Sequence, residues 1–365
     1  QQVGRAGRAL DAAYGVVLCG REDTEITDYF IQTAFPAQEE VEQIIAALES
    51  EPEGLSISGL MEKVNIRYAR IDKAMSLLSL ESPAPVVKQG YRWQLTPTPL
   101  APSFWQRAER LTALRYQEQQ EMKEYINLKS GHMAFLINAL DGDPEGITMP
   151  ELPALPENTT SSIVQKAVEF LRRSNLDIEP RKIWPSGGLP VYGLKGKIAE
   201  EYMALPGKAL SVWGDAGWGG LVRQGKYKDN HFSDELVEAS IQLLLNWHPE
   251  PTPEWITCIP SSRHPELLSD FCERLGQRLG LPFRVTMEKE EGRPEQKTMA
   301  NSAQQARNLD GAFSLIEMPF SKKPVLLIDD MVDSRWTMTV ASWLLRFNGC
   351  GEVFPFALAL TGYRK

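Results

Sequence analysis

The stretch 325–339, VLLIDDMVDSRWTMT, restricts the fold of this chain more than any other. Its first four residues, Val325-Leu326-Leu327-Ile328, are apolar without alternation. Such a run suits a strand covered on both faces, as in a parallel sheet with helices on either side. Asp329 and Asp330 follow, then Met331 and Val332, then the polar turn Asp333-Ser334-Arg335, then a helical pattern through Phe347. Paired acids at the carboxyl end of a buried strand lie where open α/β sheets bind ligands. The turn presents backbone N–H groups, the start of a helix dipole and the hydroxyls of Ser334, Thr337 and Thr339, which together make an anion cradle. One anion beside one polyol describes a ribose 5-phosphate. The competing explanation, that the two acids merely cap a helix, leaves the order of strand, acids, hydroxyls and helix unaccounted for.

From Gly207 onward apolar runs alternate with helical stretches, which predicts an α/β domain with a largely parallel sheet. Helices are expected over 233–245 and 266–279, and strands over 255–259, 283–285 and 353–360. The segment Pro260-Ser261-Ser262-Arg263 leaves the second strand as a loop. The polar stretch 288–308 is too long for a tight connection and reads as a mobile functional loop with some helix.

With 365 residues the chain needs two to four domains. A net charge of −9 excludes a chain that coats nucleic acid, so any DNA contact must use local basic patches. The four cysteines are far apart and form no CxxC pair, which points to a reduced, cytoplasmic protein without a Cys-rich zinc site. No apolar run is long enough to span a membrane and no signal peptide is recognisable, so no membrane partner is expected.

Residues 38–97 read as three helices and a hairpin turning at Gln89-Gly90, the winged-helix order, with the third helix over 67–80 as the recognition helix. Arg67, Arg70, Lys73, Lys88 and Arg92 are its candidate phosphate contacts. A weak echo follows roughly ninety residues later: Gly54-Leu55-Ser56-Ile57 against Gly146-Ile147-Thr148-Met149. The second copy is expected to have a helix over 159–173, a hairpin over 178–194 and a basic cluster of Arg172, Arg173, Arg181 and Lys182 for DNA. Trp184 is either a base-stacking or a core residue. Residues 104–140 read as helical.

The chain opens with Gln1-Gln2-Val3-Gly4-Arg5-Ala6-Gly7-Arg8, followed by an apolar strand over 14–19. Two arginines three apart beside two glycines suit a triphosphate, because guanidinium forks bind phosphate oxygens. This pattern resembles the arginine-finger motif of superfamily-two helicases. The resemblance implies ATP contact by Arg5 and Arg8 as catalytic residues, and coupling of ATP to DNA by Gln1. The nucleotide-cradling loop of such motors is absent, so the chain is expected to be a piece of a longer protein.

The 325–339 segment resembles the phosphoribosyltransferase signature. By that resemblance Asp329 and Asp330 hold ribose hydroxyls directly or through Mg²⁺, and Asp333, Ser334, Arg335 and Thr337 cradle the 5-phosphate. Ser261, Ser262 and Arg263 form a pyrophosphate loop, while Lys297 and Arg307 reach in from a hood. Arg335 departs from the family, which carries a small residue there. Residues 118–140 resemble the helical lead-in to the zinc domain of RecQ helicases, but Gly131-His132 and Asp141-Gly142-Asp143-Pro144 stand where cysteines belong. The motifs together resemble a bacterial subgroup of RecQ-like DNA helicases with a phosphoribosyltransferase domain behind the motor.

The expected organisation is thus multidomain α/β and winged-helix. It comprises the end of a RecA-like motor domain (1–35), a winged helix (36–100), a helical region like a degenerate zinc domain (101–145), a second winged segment (146–206) and a phosphoribosyltransferase-like domain (207–365). The resemblance implies ATP-dependent 3′–5′ unwinding of DNA in repair or recombination, with ATP and Mg²⁺ in the parent motor. The same resemblance implies phosphoribosyl pyrophosphate with Mg²⁺, or a nucleoside monophosphate, as the small-molecule ligand. Two alternatives stay open: an active phosphoribosyltransferase of nucleotide salvage, and a non-catalytic scaffold or ligand sensor.

Overall fold

The structure, a computed structural model, describes residues 15–20, 23–146, 158–173, 175–316 and 322–361. The chain divides into two compact units, one of residues 1–60 and 68–157, the other of residues 61–67 and 158–365. Among the described residues no helix is long and apolar enough to cross a membrane.

In the first unit, α1 (Asp23–Gln32) precedes α2 (Gln38–Glu49), α3 (Ile57–Lys63, whose last turn belongs to the second unit) and α4 (Tyr68–Ser79). Strands β1 (Val86–Gln89) and β2 (Arg92–Leu95) form an antiparallel hairpin across Gly90. Val41, Ile44 and Leu48 of α2 and Ile71, Met75 and Leu78 of α4 are buried, as their helical spacing requires. Helices α5 (Ser103–Asn127) and α6 (His132–Ala139) follow. His132 meets the ring of Tyr125 edge-on at 5.2 Å. Residues 15–20 form no strand, against the expectation for 14–19; Val16, Val17 and Leu18 are exposed and pair with no strand among the described residues. The opening motif with Gln1, Arg5 and Arg8 lies outside the described residues.

The four candidate phosphate contacts that lie in this unit, Arg70, Lys73, Lys88 and Arg92, are engaged within it. Arg70 is paired with Glu40 and donates to the carbonyls of Thr33 and Phe35. Lys73 Nζ donates to Thr33 O at 3.1 Å. Arg92 reaches the carbonyls of Glu53 and Gly54. Lys88 lies over the Trp93 ring at 5.4 Å. These side chains tie turns together, because a carbonyl without a partner is costly.

The second unit is an α/β layer structure. A five-stranded sheet has the order β3 (Leu176–Ile178), β4 (Gly207–Val212), β9 (Val353–Leu360), β8 (Val325–Val332) and β5 (Trp255–Cys258). Every pairing is parallel except β3 with β4. Successive residues of β8 feed opposite faces. Val325 and Leu327 join a core with α12 (Trp336–Phe347), while Leu326 and Ile328 join one with α9 (Asp234–Trp247) and α10 (Pro265–Leu279). Both faces are covered, so the unbroken apolar run is physically required. The short helix α8 (Gly219–Gln224) follows the turn at 213–218. There Asp215 Oδ1 accepts from the N–H groups of Gly217 and Gly219 at 3.0 and 2.8 Å. A Cβ at Gly219 would lie 1.8 Å from Val212 O, so only glycine allows this helix so close to β4.

Three sequence expectations differ from this arrangement. Residues 178–194 do not form a separate winged hairpin. Ile178 ends the edge strand β3, and only single bridges link Ile183 with Lys197 and Leu189 with Leu194. The helix before them, α7 (Ser161–Arg173), forms as expected. Burial of Ile178, Trp184, Leu189 and Ile198 in the sheet core outweighs any hairpin tendency. A strand over 283–285 reduces to one bridge, Phe283 with Ile256. The 288–308 stretch carries the expected helix, α11 (Ser302–Arg307), but more built structure besides: β6 (Met287–Lys289) pairs with β7 (Phe313–Leu315), and a 3₁₀ turn covers Gln296–Thr298.

Candidate functional site

A cleft of about 780 Å³ opens in the second unit, beyond the carboxyl ends of β5 and β8. Strand β8 continues through the acid pair to Val332 because β9 pairs with it as far as Leu360. Asp329 and Asp330 therefore stand on the strand itself, in a fixed register, rather than on a turn. Three walls face them: the 333–337 turn, the 260–264 loop and the 289–297 segment.

Asp329 is 8% exposed. Burial, then the neighbouring charge of Asp330, pushes its carboxyl well above the usual range, against the pull of Lys226 and of backbone N–H groups. Its Oδ1 accepts from the N–H of Asp330 at 2.9 Å. Asp330 Oδ2 is ion-paired with Lys226 Nζ at 2.8 Å. Lys226 comes from a π-helical turn, Gly225–Asp229, a local irregularity common at functional sites. Lys289, also on the cleft wall, has its ammonium lowered chiefly by burial, with Asp329 acting in the opposite sense.

The turn after β8 is built for close approach. Arg335 has φ 68° and ψ 0°, the left-handed conformation that glycine adopts without cost. Its Nη1 donates to Glu179 O at 3.0 Å. Arg181 Nε and Nη2 donate to Ser334 O at 2.9 and 2.6 Å, while its guanidinium lies 4.0 Å from the Trp336 ring. Burial first, and then the charge of Arg335, lowers Arg181 to about 10. Trp336 is stacked on Trp184 and donates from Nε1 to Ser302 Oγ at 2.7 Å. The turn is thus gripped from outside, and the hydroxyls of Ser334 and Thr337 border the cleft. Asp333 Oδ1 accepts from Thr361 Oγ1 at 2.7 Å, and Thr339 Oγ1 is spent on Arg335 O at 2.9 Å.

On the opposite side Ser261, Ser262 and Arg263 line the loop after β5. Arg263 is paired with Glu295, and Lys297 Nζ lies 2.9 Å from the same carboxylate. The hydrogen bond from Lys297 is the largest influence lowering Glu295. Arg307 does not reach the cleft; its Nη1 donates to Glu62 O at 2.9 Å, at the end of α3.

The expected DNA cluster is dispersed. Arg181 is committed to Ser334 and Trp336. Arg172 lies 4.2 Å from the Trp218 ring, Arg173 is 3.9 Å from Glu169, and Lys182 is exposed. Trp184 is 4% exposed, in the core.

Among the described residues no three His, Cys, Asp or Glu side chains gather to hold a metal. Asp330 already faces an ammonium and Asp329 resists ionisation. Two carboxylates so engaged are a poor set for a Mg²⁺ ion held by protein groups alone.

Sequence reasoning located the acids, the turn and the 260–263 loop. It missed Lys226, Lys289 and the grip of Arg181, and gave Arg67 to a winged helix where the structure puts it on the cleft wall. The grip of Arg181 was invisible because its partner is a backbone carbonyl 153 residues away.

No family model matches the chain, and no curated protein matches it. Among solved structures it is similar to the adenine phosphoribosyltransferase of Leishmania donovani, with 15% identity and a TM-score of 0.24, over 38% of this chain and 68% of that one. A likeness that slight decides neither fold nor ligand.

Proposed function

We propose that the second unit binds a ribose 5-phosphate group, the sugar hydroxyls at Asp329 and Asp330 and the phosphate at the turn 333–337. One observation carries this. An acid pair in strand register is followed directly by a left-handed turn at Arg335 that opens α12, and both border one cleft. Carboxylates accept from vicinal hydroxyls, and N–H groups at a helix start with nearby hydroxyls donate to phosphate. Arg181 and Trp336 hold the turn in shape before ligand arrives, which reduces the ordering cost of binding. Arg335 lines the cleft with its Nη1 committed to Glu179 O. Phosphoribosyl pyrophosphate and nucleoside 5′-monophosphates are the ligand class. Transfer chemistry is the finer proposal: a nucleobase nitrogen would form the bond to the ribose C1 as the C1–O bond to pyrophosphate breaks, Arg263 and Lys297 would stabilise the departing pyrophosphate, and Mg²⁺ carried by that ligand would share its charge. The test is thermal denaturation of the full chain with these ligands. Ligand should raise the midpoint by linkage, and Asp330→Asn should abolish the rise. No rise with any ribose phosphate refutes the proposal.

A second reading concerns the whole chain as the C-terminal part of an ATP-dependent 3′–5′ DNA helicase of the RecQ kind. The Q-x-x-G-R-x-G-R spacing of residues 1–8 favours it, and the order α2, α3, α4, β1, β2 agrees with a winged helix. In a protein that restores a complete motor, Arg5→Ala or Arg8→Ala should cut DNA-stimulated ATP hydrolysis by roughly 10³. Unchanged hydrolysis in both variants removes this reading.

A further inference from the structure

The second acid of the pair comes with a cation of its own. Asp330 Oδ2 lies 2.8 Å from Lys226 Nζ, and the two side chains are only 16% and 17% exposed. Charges sheltered to this degree lose much of their hydration, so such a pair adds little to stability beyond what apolar packing would give. A sheltered ion pair on a cleft wall is better explained by what it does for a ligand than by the fold it holds.

The backbone is built to aim this lysine. Helix α8 runs directly into the π-helical turn Gly225–Asp229. A Cβ at Gly225 would lie 2.7 Å from His231 O and 2.8 Å from Phe232 Cδ1, so the turn closes only on glycine. Asn230 ends it in the left-handed conformation, with φ 47°, and its Oδ1 is 2.8 Å from His264 Nδ1. Tyr227 meets Trp213 edge-on at 5.8 Å, and Gln224 Nε2 donates to Asp229 Oδ2 at 3.0 Å. These contacts hold the turn, and Lys226 is thereby a placed charge rather than a surface lysine free to wander.

A carboxylate offers about four acceptor sites on two oxygens. With Oδ2 given to Lys226, Asp330 Oδ1 keeps its own for a sugar hydroxyl. A divalent cation at this acid would neutralise and orient the carboxylate in the same way. To bind there it would have to displace the ammonium, and among the described residues no third acid gathers to offset that cost.

We propose that Lys226 takes the place of a divalent metal at the sugar-binding acids, as a positioning residue that orients Asp330, and that the second unit binds ribose 5-phosphate without metal. This rests on the ribose 5-phosphate reading above.

Calorimetry on the full chain tests it, with ribose 5-phosphate titrated once in chelator and once in excess Mg²⁺. This probe has no pyrophosphate to carry a metal in with it. The unaltered chain should bind with affinities that agree within about twofold in the two buffers. Lys226→Met should bind roughly tenfold or more weakly in chelator, because Asp330 loses a charged hydrogen-bond partner. In Mg²⁺ the variant should recover much of that loss, since its acid is now open to the metal, and a merely structural role predicts no such recovery. Lys226→Arg keeps the charge and should bind in chelator more tightly than Lys226→Met. Binding by the unaltered chain in Mg²⁺ but not in chelator overturns the inference and leaves the ribose phosphate site standing. So does a Lys226→Met that binds like the unaltered chain in chelator, or that is weakened equally in both buffers. Absence of binding to the unaltered chain in both buffers overturns the site and this inference together.

Discussion

Arg181→Met is the sharpest structural test of how the 333–337 turn is held. Methionine keeps an apolar stem against Trp336 but loses two hydrogen bonds to Ser334 O and a guanidinium 4.0 Å from the indole. Hydrogen bonds from a charged donor contribute about 1.5–3 kcal/mol together with their partner's satisfaction. The contact with the ring contributes about 0.5–2 kcal/mol. Burial works against both, since the guanidinium is held at about 10 in the fold. A net loss of about 1–3 kcal/mol follows once that cost is set against the gains. The chain has two units, so a single unfolding free energy is poorly defined and a local readout is needed. Amide hydrogen exchange at a peptide covering 333–337 supplies one. Protection should fall by roughly 5- to 150-fold, the equivalent of that free energy. Affinity for ribose 5-phosphate should fall with it, although Arg181 touches no ligand. Unchanged exchange and unchanged affinity would refute the idea that this side chain shapes the turn.

Asp329→Asn should stabilise the second unit near neutral pH. The folded carboxyl has a raised pKa, so the folded state keeps a proton that the unfolded chain releases. Stability is therefore fully present below the ordinary carboxylate value and declines as pH rises above it. The variant should lack that decline, and a stability gap that does not widen with pH across this window refutes the burial argument. Arg335→Gly relieves a left-handed φ costing about 1–2 kcal/mol but forfeits the bond to Glu179 and adds unfolded-state entropy. Local exchange and ligand affinity should both stay within a few-fold, and a loss of binding of tenfold or more would show that this guanidinium holds the phosphate. Trp336→Ala should destabilise the unit by about 3–5 kcal/mol, because a 1% exposed indole is lost from the core along with its bond to Ser302. A melting temperature equal to that of the parent contradicts the packing.

The sheet and its acid pair were legible because each left a signature that physics makes obligatory. A strand covered on both faces must be apolar throughout, and Val325 to Ile328 obey that. Helices α9 and α10 show their faces by spacing, and the glycines of 214–219 mark a turn that admits no Cβ at 219. The edge strand β3 was misread because three residues carry no usable period, and Ile178 is equally apolar in a hairpin or beside β4. The basic residues at 172–182 were assigned to DNA by charge alone, yet Arg181 is bound to a carbonyl that no sequence pattern announces. Lys226 escaped notice for a similar reason: its partner Asp330 is distant in sequence, and the π-helical turn that aims it has no compositional mark. Arg67 was counted as a phosphate contact of the third helix, whereas it lines the cleft.

The central claim is that one cleft holds sugar hydroxyls at Asp329 and Asp330 and a phosphate at the turn beside them. Calorimetric titration of the full chain with ribose 5-phosphate, ribose and inorganic phosphate tests it most directly. Both halves of the site are engaged only by the intact ligand, so ribose 5-phosphate should bind well over tenfold more tightly than either fragment, and Asp330→Asn should erase that advantage. Binding of inorganic phosphate as tight as that of ribose 5-phosphate, unaffected by Asp330→Asn, would contradict the account.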